Sequence, residues 1–338
     1  MAPEEPEQVE PVTGPRAAFR LIAQRNFGPY FVGNAISSSG TWFQNLAAAV
    51  LVYRLTGSAL LLGVLNFAQF AAVIALAPWT GSAADRLDRR KLLYATQAWS
   101  SVLSATLAAL AWTGHAGTGA VIAISVGLGV GSAFTAPAQF ALVPQLVARA
   151  DLASAVALNS MTFNLARAAG PTLAAVCIAQ LGIPAAFAIN SASYVALAVG
   201  VAVVRPRASR RAARGQASLR EALSLVRNDT RLLTLLLVVA AVGFAADPIN
   251  TLAPAFAVHF GYRDVVGGYI VGAFGLGAVS AALTLAGRTL SRRHLILALL
   301  VMAAGVAGFA SSPWLALALP IVAVGGFGYL TSNTTATA

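Results

Sequence analysis

Charge is scarce in this chain of 338 residues: 10% of it is Asp, Glu, Lys or Arg, against about 25% in a typical soluble domain. With 58% hydrophobic residues and a mean hydropathy of +0.76, that shortage excludes a water-soluble globule and points to an apolar solvent. Cys177 is the only cysteine, so an intrachain disulfide and a thiolate metal site are both excluded. It lies among Ala and Val and reads as packing. The three histidines, His115, His259 and His294, are too scattered to make a metal site. No Gly-x-x-x-x-Gly-Lys-Ser/Thr loop occurs, which argues against ATP hydrolysis by this chain. No catalytic constellation appears, so neither an enzyme nor a bound cofactor is expected. A signal peptide is missing as well: residues 1–15 are rich in Pro and Glu (Glu4, Glu5, Glu7, Glu10) and fit a cytoplasmic tail.

What the chain has instead is length in its apolar runs. A helix needs roughly 20 mostly apolar residues to cross a bilayer, and ten runs meet or approach that. They lie near 29–52, 60–80, 92–112, 118–137, 153–178, 183–204, 232–257, 266–287, 294–311 and 314–331. The net charge of +11 would suit nucleic acid, but the cations are clustered at the ends of these runs. With the N-terminus inside, all but three of the 22 Lys and Arg residues fall on the cytoplasmic side. The exceptions are Arg54, Arg263 and Arg167. This is the positive-inside distribution, and it sets the predicted topology. The partners expected are the lipid bilayer and a small-molecule substrate, not nucleic acid, and the chain is expected to be a monomer.

The longest polar stretch divides the chain. Residues 1–25 form a tail and juxtamembrane segment, and 26–204 hold six runs. Residues 205–231 make a basic linker, in which Ser218-Leu-Arg-Glu221 has the form of a capping box opening an amphipathic helix over 218–228. Residues 232–338 hold the remaining four runs. The halves look related: Arg89-Arg90-Lys91-Leu92 recurs as Arg292-Arg293-His294-Leu295, about 203 residues on, in the turn after an even-numbered run. A second half as long as the first would need two more helices, so either a fragment of a twelve-helix protein or a shortened relative is expected, the fragment being favoured.

Polar side chains in a span should face a bundle interior or a wet cavity. In the first run Asn34, Ser38, Thr41 and Asn45 follow i, i+4, i+7, i+11, with Ser37 and Gln44 beside them. The second run adds Asn66 and Gln69; the fourth adds Ser132, Thr135 and Gln139. Interhelical hydrogen bonding accounts for any one of these, but six on one helix favour a cavity wall. The seventh run contains Asp247-Pro248-Ile-Asn250-Thr251, with Pro254 on the same face. An acid at mid-helix costs about 2.5–3.5 kcal/mol on insertion scales, so it should avoid lipid. A carboxyl so placed suits a site that takes up and releases protons; a structural Asp bonded to nearby backbone is the alternative. Pro248 and Pro254 remove backbone donors and let the helix bend. Arg167, in Asn164-Leu-Ala-Arg167-Ala-Ala-Gly170-Pro171, is the only cation within a span. It can pair with an acid or hold an anionic substrate, and an Asp247–Arg167 coupling across the halves is the expectation. Gly127-x-x-x-Gly131 and Gly268-x-x-x-Gly272 read as close-packing motifs.

Between the second and third runs stands Gly81-Ser-Ala-Ala-Asp85-Arg86-Leu-Asp88-Arg89-Arg90-Lys91. It resembles the Gly-x-x-x-Asp-Arg-x-Gly-Arg-Arg/Lys signature loop of the major facilitator superfamily, with Asp88 where the family usually has Gly. Further stretches are similar to the enterobactin-exporter and macrolide-efflux branch: Asn26-Phe27, Leu55-Thr56-Gly57-Ser58-Ala59, Pro137-Ala138-Gln139, Leu142-Val143-Pro144, and Asp151-Leu152 through Asn164-Leu165-Ala166-Arg167 to Gly170-Pro171. That branch often has an acid on the first helix where this chain has Thr41. The Gly170-Pro171 pair resembles the antiporter motif of the superfamily's drug exporters, although Ala174 and Ala175 replace two of its glycines.

The resemblance implies an all-α membrane protein with the major facilitator fold, six plus four of twelve helices, in a bacterial inner membrane with the N-terminus in the cytoplasm. It implies a gate at Gly81, Asp85, Arg86, Arg89 and Arg90 that helps hold the outward-open state, and bends or antiporter-like packing at Gly170, Pro171 and Pro248. The expected activity is secondary transport by alternating access: proton-driven efflux of a small amphipathic, drug-like or siderophore-like compound, with the proton gradient as energy source. Asp247 and Arg167 are the coupling candidates. Asn34, Ser38, Thr41, Gln44, Asn45, Asn66, Gln69, Asn164 and Asn250 are the cavity candidates. An uptake permease of the same fold and a non-transporting membrane scaffold are the rival readings.

Overall fold

Lipid offers no partner to a backbone N–H or C=O, so a chain of this composition must satisfy its backbone within helices. The computed structural model describes residues 15–207, 224, 226–285 and 291–337, without the side chains of 15–18, 82, 84–86, 231, 292, 336 and 337. A short helix α1 (Pro15–Ile22) leads into six long ones. These are α2 (Gly28–Thr56), α3 (Ala59–Arg86), α4 (Arg89–Trp112), α5 (Thr118–Leu146), α6 (Leu152–Leu181) and α7 (Ile183–Val203). The second half contributes α8 (Thr230–Thr251), α9 (Ala253–His259), α10 (Gly267–Leu285), α11 (Arg292–Ala310) and α12 (Leu315–Thr337). Each of the ten apolar runs thus holds a long helix among the described residues. The linker residues 208–217 and most of the amphipathic helix expected over 218–228 lie outside the described residues.

Seven of these helices are long and apolar enough to cross a membrane by length and composition. The long helices outside that set are α2, α4 and α6, whose apolar length is diluted by polar side chains. The outward surface is correspondingly greasy, with Phe244 84% and Phe140 79% exposed.

The seventh run is two helices, not one. The chain continues helically through Pro248 and breaks at Leu252 (φ −98°, ψ 10°) before Pro254, which sits in the first turn of α9. Pro254 has no N–H to give the carbonyl four residues back, so the helix ends where that bond is lost. Other ends have local causes. Gly57 takes a left-handed φ of 62° to close α2, a conformation glycine adopts without penalty. Asp88 caps α4, its side chain accepting from the backbone N–H of Arg90 (2.9 Å) and Lys91 (3.2 Å).

Within the first half, α2 lies on α7 with its glycines as the contact. A Cβ at Gly33 would strike the Ala196–Leu197 backbone, and one at Gly40 would strike Ser193. Gly127 and Gly131 seat α5 against Leu103, Trp99 and Ser100 of α4 in the same way, as their spacing predicts. The halves meet along α6 and α10. There Gly268, Gly272 and Gly275 lie against the Pro171 carbonyl, the Thr172 hydroxyl and the Ala168 backbone, with no space for a side chain. At the end away from the basic clusters an apolar core joins Leu46, Leu62, Ile178 and Phe187 to Val265, with Leu252 and Ala255 packed on it. Arg54 crosses the same end to Asp264 in a two-pronged pair, Nε–Oδ2 2.6 Å and Nη2–Oδ1 2.9 Å. The space between the halves is sealed there.

Candidate substrate cavity

The polar stripe of α2 is aimed at a cavity of about 580 Å³ between the halves. Asn34, Ser38, Thr41 and Asn45 all line it, as do Asn66 and Gln69 of α3, Ser132, Thr135 and Gln139 of α5, and Asp247 and Asn250 of α8. Two of the sequence candidates behave differently. Gln44 borders the cavity but is 3% exposed. Its Oε1 accepts from Ser104 (2.7 Å) and Asn190 (3.2 Å), so it fastens α2 to α4 and α7. Asn164 is not a lining residue: its side chain donates to the Ser160 carbonyl one turn back at 2.8 Å. A short polar side chain on a helix has its own backbone within reach, and here that local bond wins.

Several lining residues were not anticipated. Gln97 and Ser100 of α4 face the cavity, and with Ser104 they repeat every three to four residues, the same signal that marks α2. Trp42, Phe70, Phe163 and Tyr194 supply apolar wall, and Tyr329 enters from α12. Polar side chains also bond to one another across the wall: Gln139 donates to Asn34 Oδ1 at 3.0 Å, and Asn34 donates to Asn159 at 3.5 Å.

The two charged groups of the cavity do not meet. Asp247 Oδ2 accepts from Asn66 Nδ2 at 2.7 Å and from Thr251 Oγ1 at 2.8 Å, and the same Asn66 nitrogen lies 2.6 Å from Thr251 Oγ1. The carboxylate is therefore held by a side chain of the first half and by its own helix. Arg167 instead reaches across to the second half. Its Nη1 donates to the Tyr329 hydroxyl at 3.1 Å, and its guanidinium lies 4.5 Å from the Tyr329 ring centroid and 5.7 Å from that of Phe274. No ion pair within 4.0 Å joins Arg167 to Asp247, and the Arg167 Nε is buried without a hydrogen-bond partner. Asn250 Oδ1 is a buried acceptor in the same condition. Pro171 lines the cavity, while Gly170 lets α6 approach the Trp42 side chain.

The signature loop lies at the opposite end from Arg54. Arg89 donates to the Ala141 carbonyl at 3.3 Å, and Arg90 donates to the Ala202 carbonyl near the end of α7, over the Tyr94 ring. A cation at a helix C-terminus is favoured by the helix dipole. These two arginines thus bind carbonyls of the first half. The side chains of Asp85 and Arg86 lie outside the described residues, and a Cβ at Gly81 would meet open space.

Ten long helices among the described residues, in two bundles that face each other across a polar-lined cavity, define a multi-pass membrane protein with the major facilitator fold. The family model described as "Transmembrane secretion effector" matches residues 16–338, and the chain belongs to that family of the major facilitator superfamily. It is 28% identical over 166 residues to the staphyloferrin A transporter of Staphylococcus aureus, covering 49% of this chain and 42% of that protein. It is 24% identical over 239 residues to macrolide efflux protein A of Streptococcus pyogenes, covering 69% and 59%. The matched part thus spans about half the length of these curated relatives. Among solved structures, an inward-facing bacterial homologue of the lysosomal transporter Spinster superposes with a TM-score of 0.69 at 15% identity, covering 96% of this chain and 76% of that one. The nucleoside transporter NupG gives 0.70 at 10% identity, covering 94% and 80%. At such identities the likeness concerns the fold.

Proposed function

We propose that this chain works as a proton-driven exporter of a small amphipathic, drug-like or siderophore-like compound, with its N-terminus in the cytoplasm of a bacterial cell and its ten helices in the inner membrane. The observation that carries the proposal is the placing of Asp247: an ionisable group at the cavity wall whose partner, Asn66, belongs to the other half. Hydrogen bonds to an ionised carboxylate are roughly twice as strong as neutral ones. Protonating Asp247 therefore weakens a tie between the halves, and that is the elementary requirement for coupling proton uptake to their rocking. In the topology set by the basic clusters, the end sealed by Arg54 and Asp264 is the outer one and the cavity serves the cytoplasm. The seam of α6 and α10 is then the pivot about which the halves alternate. Asp85, Arg86, Arg89 and Arg90 act in this scheme at the inner end.

The test uses the full-length protein in everted vesicles energised to a proton gradient. The names of the relatives supply the first compounds to try, staphyloferrin A and a macrolide. A transported compound should enter the vesicles and partly collapse the gradient, and Asp247→Asn should abolish both effects while leaving the protein folded and in the membrane. Undiminished proton-driven flux in Asp247→Asn would refute the coupling role. Flux out of everted vesicles would make the protein an uptake permease.

A further inference from the structure

Arg167 carries a permanent charge into the middle of the membrane, and among the described residues it has no counter-charge within 4.0 Å. The one acid of the cavity wall, Asp247, is occupied by Asn66 and Thr251. The guanidinium is held from one side by neutral groups only, the Tyr329 hydroxyl and the faces of Tyr329 and Phe274. Its Nε is buried and unpartnered. A guanidinium presents five donors in a fixed fork that fits the two oxygens of a carboxylate, and here the fork is braced by aromatic rings with donor capacity left over. Arg167 is half-buried at the cavity wall, and a partly desolvated cation without an anion beside it costs free energy that a bound anion would recover.

We infer that Arg167, braced by Tyr329 and Phe274, is the anion-binding subsite of the cavity, and that the transported compound is an amphipathic organic anion whose carboxylate docks there. This rests on the transport reading and narrows it from any amphipathic compound to an anionic one. The carboxylate docks on the terminal nitrogens of Arg167, since the Nε is closed off from the cavity, and the apolar body lies along Trp42 and Phe163, both in the cavity wall. Tyr329 belongs to the second half, so the subsite is assembled from both halves. It is complete only while α6 and α12 stay together.

The probes are a matched pair, 1-pyrenebutyrate and its neutral amide, whose binding to the purified full-length protein is followed by pyrene fluorescence and whose flux is followed in proteoliposomes. In the unaltered protein the carboxylate should bind about tenfold more tightly than the amide or better, the scale of a hydrogen bond to a charged group. Arg167→Gln should bring that ratio near one, and Arg167→Lys should keep part of it. Equal binding of the two probes, or a preference that survives Arg167→Gln, overturns the assignment, and so does failure of the folded protein to bind either. Proton-dependent flux of the amide with no carboxylate preference would sink the anion subsite and leave the transport reading standing. Carboxylate preference without proton-dependent flux of either probe would do the reverse.

Discussion

The pair between Arg54 and Asp264 is a differential interaction, because its two residues are 210 apart in sequence and sit in different halves. In the proposed cycle it holds only while that end of the cavity is closed. Both prongs are short, the Asp264 side chain is 12% exposed and Arg54 is 41% exposed. An exposed pair contributes under about 1 kcal/mol, and a bidentate one with a buried carboxylate contributes more; the open side of Arg54 holds the total to about 1–2 kcal/mol. Asp264→Asn preserves shape and the local bond from the Val265 N–H (2.8 Å in the parent) while removing the charge. The population open at this end should therefore rise about fivefold to thirtyfold. The assay exploits the single cysteine. In a Cys177→Ser background, Val265→Cys places a thiol in the sealed apolar core, where Val265 is 4% exposed. Its maleimide labelling in detergent follows the open population, and Asp264→Asn should accelerate it by that factor. Equal labelling rates with and without Asp264→Asn would show that the pair does not hold the end shut.

Gly272→Val puts its side chain on the Thr172 hydroxyl, and an overpacked seam costs about 1–3 kcal/mol; the same thiol should label faster, and an unchanged rate would mean that α6 and α10 part easily. Ser104→Ala removes a fully buried hydroxyl whose single proton is shared between Gln44 Oε1 (2.7 Å) and the Phe187 carbonyl (2.9 Å). It should lower stability by about 1 kcal/mol in denaturant titration, with little effect on the probes bound in the cavity. Asp88→Ala takes away the cap of α4 and should cost about 1 kcal/mol, whereas Asp88→Gly should cost only a few tenths. Equal losses for the two would show that the cap bonds contribute nothing.

The elements most legible in the sequence are those set by the bilayer itself. A span has a minimum apolar length whatever it packs against, so all ten runs emerge as helices, and the polar stripe of α2 emerges on the cavity because its period admits one face. Register within the stripe is less legible. Gln44 and Asn45 are neighbours of like chemistry, yet one fastens α2 to Ser104 and Asn190 and the other lines the cavity, a choice made by where α4 and α7 lie. The Leu252 break was open to two positions, since Pro248 and Pro254 each remove a donor; only the second sits where the chain leaves the helix. Nothing local marks the partner of a charge. Tyr329 is 162 residues from Arg167 and Asp264 is 210 from Arg54, and both pairings come from the meeting of two bundles. Asp88, a departure from the signature loop, is explained by its neighbours: it is the residue from which α4 starts.

The sequence points to a coupling of Asp247 and Arg167 across the halves, and a direct pair between them would serve the proposed transporter worse than the separate ties found. Two opposite charges in contact inside a low-dielectric bundle, once formed, are costly to separate, because breaking the pair leaves an uncompensated buried charge. Neither a proton at the acid nor an anion at the base would then compete well. Here each charge is held by a neutral group of the opposite half: Asp247 of α8 by Asn66 of α3, and Arg167 of α6 by Tyr329 of α12. The two ties run in opposite senses across the cavity, and in the proposed cycle a motion that parts α3 from α8 and α6 from α12 breaks both. In that cycle one is exchanged on protonation of the carboxylate and the other on arrival of a substrate anion. Under the proposed cycle, proton and substrate act on separate bonds that secure the same interface. Coupling then needs no contact between them, only that neither half moves while both bonds hold.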